Sequence, residues 1–101
     1  MPKFTVEAQT SHAPQAAFTK LKTLLDKDAD LRRFDSKYSC EFDEQKLTGL
    51  ASGGQFKAAL QVEPASGGSK VAITVDLPFA LSLFKGKIQN ILQEKLNAIL
   101  S

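Results

Sequence analysis

Two stretches constrain the fold of this chain more than anything else in it. Phe56, Ala58, Leu60 and Val62 alternate with Gln55, Lys57, Ala59 and Gln61, and Val71, Ile73, Val75 and Leu77 alternate with Lys70, Ala72, Thr74 and Asp76. Successive side chains of a strand point to opposite faces, so each run reads as a strand buried on one face. Phe4-Thr5-Val6-Glu7-Ala8-Gln9 has the same period, as do Tyr38, Cys40 and Phe42 against Ser39, Glu41 and Asp43. A further short strand is expected at about 46–51. The turns between the later strands are short and rich in Gly and Ser, which predicts antiparallel hairpins. The polar positions carry no large apolar residue, so one sheet face should meet water and the other a layer of helices.

Two helices are expected. Ser11 is placed to cap the first, at about residues 12–30, with Pro14 in its first turn. Ala17, Phe18, Leu21, Leu24, Leu25 and Leu31 share one stripe of it. The second starts near Pro78 to Ser82 and runs to the end of the sequence. Winding it at 3.6 residues per turn puts Leu81, Phe84, Ile88, Ile91, Leu92, Leu96 and Ile99 on one face, with Lys95 inside that stripe. A lysine there packs its stem and turns its ammonium to water. The expected fold is a two-layer α+β domain spanning 1–101. Its antiparallel sheet has one face covered by two helices, in the order β-α-β-β-β-β-α.

The totals exclude several function classes. A formal charge of +2, with Lys and Arg interspersed among acids, does not argue for nucleic acid. Cys40 is the only cysteine and His12 the only histidine, so neither a disulfide nor a zinc site is expected. Catalysis by a Cys40–His12 pair would require the fold to join them. Asp26-Lys27-Asp28-Ala29-Asp30 has Leu31 and Lys37 where a calcium loop wants Gly and Glu, so it reads as a solvated helix end. The tetrad Ala-Ser-Gly-Gly occurs at 51–54 and 65–68. The inward residues are even-numbered after the first and odd-numbered after the second, so the two are turns and not a repeat in register. No catalytic residues, cofactor or metal are expected, and the protein reads as a non-enzyme. No apolar leader follows Met1-Pro2-Lys3, and no transmembrane segment is visible, so a cytoplasmic location is expected.

The second half has a recognisable pattern. Leu50-Ala51-Ser52-Gly53-Gly54 is followed by the strand Phe56 to Val62. Then come Val71-Ala72-Ile73-Thr74-Val75-Asp76-Leu77-Pro78-Phe79 and Leu83-Phe84-Lys85-Gly86-Lys87-Ile88. It resembles the polyhydroxyalkanoic acid system family, small bacterial proteins also described as granule-region regulators. The resemblance implies an association with storage-polyester granules or their regulation. It implies no catalytic residues.

Phe79 and Leu83 project opposite the apolar stripe of the last helix. Either an irregular first turn buries them or they form an exposed patch, and such patches mark partner surfaces. Gly86 costs the helix about 1 kcal/mol relative to Ala, which close approach to the sheet or another chain would offset. The leading expectation is a binding or accessory protein. Its partner-binding residues are Phe79, Leu83, Lys85 and Lys87, and its partner is a granule surface or a second copy in a homodimer. The alternative is a small carrier holding an apolar ligand in a cavity between the sheet and the C-terminal helix.

Overall fold

The computed structural model describes residues 3–27, 33, 37–54 and 56–100. Its elements are β1 (Lys3–Thr10), α1 (Pro14–Lys27), β2 (Ser39–Asp43), β3 (Thr48–Ser52), β4 (Lys57–Ala65), β5 (Gly68–Asp76), a 3-10 turn (Phe79–Phe84) and α2 (Lys85–Leu100). The five strands form one antiparallel sheet in the order β1-β5-β4-β3-β2. The fold class and element order expected from the alternation are those found. Phe4, Val6, Ala58, Leu60, Val62, Val71, Ile73 and Val75 are buried on the helix-covered face. On the other face Glu7, Glu41 and Lys57 are exposed. Thr74 is half-buried there, and its hydroxyl lies 3.1 Å from that of Thr5 on β1. Leu50 is the large apolar residue on that face, and it is exposed.

Two of the sheet's hairpin turns use the repeated tetrads differently. Ala65 pairs with Gly68, so Ser66 and Gly67 make a two-residue loop, with Gly67 at φ 79°. Ser52 pairs with Lys57, so the first tetrad leads into a four-residue loop. The parity shift between β4 and β5 follows from the even number of residues in the loop that joins them.

The helix caps differ from expectation. The first bond of α1 runs from the Ala17 N–H to the Ala13 carbonyl (2.9 Å), so Ala13 holds the capping position and Pro14 follows it as the first helical residue. Ser11 lies two residues too early. Thr10 accepts the His12 N–H on Oγ1 (3.2 Å), which shapes the turn ahead of the helix. Leu31, expected on the helical stripe, and Asp28 and Asp30 of the calcium-like run lie outside the described residues.

α1 lies across β2 to β5, and α2 runs along β1. Two bonds hold α2 there: Gln93 Nε2 donates to the Glu7 carbonyl (3.0 Å), and Thr10 Oγ1 donates to the Leu100 carbonyl (3.2 Å). The first covers a backbone group on an edge strand, where it would otherwise be open to another chain. Beside them Ser69, fully buried, donates to the His12 carbonyl at 2.7 Å and ties β5 to the β1–α1 junction.

Candidate functional site

Leu92, Leu96 and Leu100 of α2 are buried, but towards its start Ile88 is only half-buried and Ile91 and Phe84 are 44% and 53% exposed. The stripe predicted from Leu81 to Ile99 is therefore graded, and Phe84 and Ile91 are not core residues. The helix is held against β1 at its end and stands off the sheet at its beginning. Preceding it, six residues wind as a 3-10 turn, at three residues per turn, so the α-helical phase does not extend back through Phe79.

Under the raised half of α2 lies a cavity of about 220 Å³. Its floor is Ala51 of β3, Ala58 of β4, Ile73 and Val75 of β5, and Leu77. Ile88, Ile91, Leu92 and Lys95 of α2 form one wall, and Leu25 of α1, Tyr38 and Phe56 the other. Strand register explains the depth. Ala51 faces Ala58, and Ala58 faces Val75, so two methyl groups lie side by side; the next inward row holds Leu60 and Ile73. Protein interiors are normally packed with few voids larger than a water molecule. Here neither small residue is compensated by a large one on the raised helix.

The far wall is rigid for identifiable reasons. The Tyr38 and Phe56 rings stack with centroids 5.8 Å apart and planes at 21°. The Tyr38 hydroxyl donates to the Leu25 carbonyl at 2.6 Å, which serves a backbone acceptor in the last turn of α1. Cys40 Sγ approaches the same carbonyl at 3.5 Å. With the tyrosine hydroxyl so engaged, Lys95 is the only side chain charged at neutral pH among the described lining residues, and it is half-buried.

The four residues singled out from the sequence lie next to this cavity along the chain. Phe79 is 81% exposed and Leu83 92%; Lys85 is half-buried and Lys87 exposed. The first turn is irregular, as one sequence alternative required, yet it leaves both apolar residues in water. Leu77 and Ile88, which bracket the stretch, line the cavity. Gly86 does not approach the sheet: a Cβ there would meet nothing within 4 Å. That overturns close helix–sheet packing as the reason for it.

His12 and Cys40 are not brought together. His12 precedes α1, whereas Cys40 contacts its last turn, and a 14-residue helix separates them by about 20 Å. Among the described residues no group of three or more His, Cys, Asp and Glu could hold a metal ion. No helix of the described residues is long and apolar enough to cross a membrane. On the outer face Glu7, 2.9 Å from Lys70, holds the pKa of that lysine above its ordinary value through a hydrogen bond and its charge.

Sequence reasoning offered an apolar cavity between the sheet and the C-terminal helix only as its alternative and did not single out Ala51 and Ala58. Their signal was small size at inward positions of neighbouring strands, and it becomes legible only once register places them opposite each other.

No family model matches the chain, and no curated protein matches it. Solved structures with the same fold exist. TTHA0849 from Thermus thermophilus aligns with a TM-score of 0.61 and 14% identity over 98% of this chain and 92% of its own. Ara h 8.0201 aligns with a TM-score of 0.57 and 18% identity over 97% and 94%. CV1439 from Chromobacterium violaceum aligns with a TM-score of 0.52 and 12% identity over 99% and 98%. At these identities what is shared is the fold.

Proposed function

We propose that this chain is a non-enzymatic binding protein that holds a small apolar molecule between its sheet and α2. The observation that carries this reading is the 220 Å³ cavity with its nearly all-apolar lining. An apolar cavity of about 150 Å³ stays dry and takes up benzene, so a space of this order accepts a single ring or a short alkyl chain. The test is titration of labelled protein with octan-1-ol, followed by amide shifts. Shifts should concentrate on Ile73, Leu77, Ile88 and Leu92. The Ala58→Leu variant, which fills the floor, should remain folded and lose them. Shifts confined to exposed residues, or unchanged binding by Ala58→Leu, would remove the cavity from the account.

A second reading is favoured by the exposure of Phe79 and Leu83 beside Lys85 and Lys87. In it the helix entry docks on a hydrophobic granule surface or a second copy of the chain, as the resemblance to the polyhydroxyalkanoic acid system family implies. Gel filtration and flotation with lipid-coated particles, for the wild type and Leu83→Asp, test it. Association should weaken while the unfolding midpoint hardly moves. A monomer that ignores the particles with or without the substitution would exclude this reading.

A further inference from the structure

We infer that the helix entry docks on the surface of an anionic phospholipid bilayer, with Phe79 and Leu83 inserted among the lipids and Lys85 and Lys87 against their headgroups. The inference rests on the helix-entry reading above and commits it to one occupant.

Three observations converge. First, the apolar side chains here protrude. The 3-10 turn buries none of its residues, and Phe79, Ala80, Leu83 and Phe84 are all exposed. A bilayer takes up protruding side chains singly, because lipids rearrange around each one. A protein partner would need a surface shaped to them. Phe79, Leu83 and Phe84 together offer roughly 500 Å². Each partner in a stable protein complex contributes about 800 Å². Second, the charge is one-sided. From Leu77 to Gln93 the chain carries Lys85 and Lys87 and no acid. Among the described residues no acid pairs with either lysine, and the nearby Asp76 lies 3.8 Å from Lys3. An anionic lipid surface attracts such lysines, whereas lysine is depleted at protein interfaces. Third, the two kinds of residue are adjacent: the lysines follow directly on the apolar turn. Their long stems can lie along the inserted apolar side chains and carry the ammonium groups back to headgroup level.

Co-sedimentation with vesicles tests this, using phosphatidylcholine alone and an equimolar mixture with phosphatidylglycerol. The variants are Leu83→Asp and Lys85→Met/Lys87→Met. A control of equal charge, Lys20→Met/Lys46→Met, alters α1 and the β2–β3 turn instead. The wild type should bind the mixed vesicles roughly tenfold more tightly than the neutral ones, and added salt should shrink the difference. Leu83→Asp should lose binding to both while keeping its unfolding midpoint. Lys85→Met/Lys87→Met should bind both vesicles equally and weakly, and the control should keep the preference. Equal binding of both vesicles by the wild type would overturn the anionic surface. So would a preference that survives Lys85→Met/Lys87→Met, or one that the control also loses. Undiminished binding by Leu83→Asp would overturn the insertion. If the wild type ignores both vesicles yet self-associates through Leu83 in gel filtration, the bilayer is wrong and the helix-entry reading stands, with a second copy as its occupant. If it does neither, the two fall together.

Discussion

Single residues in this fold are exacting in some places and indifferent in others, and two glycines show the contrast. A Cβ on Gly68 would overlap the Thr10 carbonyl oxygen and come within 2.8 Å of the Ser11 Cα, both backbone. A Cβ on Gly86 would enter open space. Gly68→Ala should therefore lower stability by about 1–3 kcal/mol or more, since the β1–α1 junction must move to admit it. Gly86→Ala should raise stability by about 0.5–1 kcal/mol by removing backbone freedom from the unfolded chain. Denaturant titration of both variants checks the pair, and effects of the same sign would contradict the backbone geometry. Nothing in the sequence separated the two. Both sit in short Gly-containing stretches, and only the position of a neighbouring strand makes one of them indispensable. For Phe79 and Leu83 helical phase left burial by an irregular first turn and an exposed patch both open, and the 3-10 turn before α2 leaves them in water. Phe84 was misread because the α-helical phase was carried back into that turn.

Among the elements, α2 is divided. Its last two turns bury Leu96 and Leu100 and are tied to β1 by Gln93 and Thr10; its first turns carry exposed Ile91 and half-buried Ile88 over the cavity. Leu96→Ala should cost about 2–5 kcal/mol of folding stability, whereas Ile91→Ala should cost much less. Amide exchange should follow the same gradient, with residues 86–91 exchanging faster than 94–99. Uniform protection along the helix, or equal costs for the two alanine variants, would show that the raised half is as firmly held as the other. The strands were legible in greater detail than this helix. Each alternating run fixed its own inward face, and the parity change between β4 and β5 agreed with the turn found between them.

At the scale of the whole molecule, the order of elements followed from the sequence but the lateral order of strands did not. Alternation says which face is buried and leaves open which strand lies beside which. The cavity depends on that missing information, because its floor is assembled from β3, β4 and β5 at one level of the sheet. If the cavity is the binding site, occupancy should stabilise the entire fold. A ligand present at a hundred times its dissociation constant adds about 2.7 kcal/mol. Thermal unfolding with and without saturating octan-1-ol should show a rise in midpoint for the wild type and none for Ala58→Leu. A rise of the same size in both would place the stabilising contact elsewhere.

The ties between α2 and β1 also set the order in which the protein can form. Gln93 reaches Glu7 across 86 positions of sequence, Thr10 reaches Leu100 across 90, and Thr5 meets Thr74 across 69. β1 is the first of the strands to be synthesised, yet its only neighbour in the sheet is β5 and its covering helix is the last element. A nascent chain can close the β2–β3–β4 meander early, but it must carry β1 unpaired until β5 and α2 have emerged. Contacts of such long range place the folding rate in the slower part of the range for small domains. The interval before β1 docks is therefore when this chain is most open to misassembly or to a chaperone.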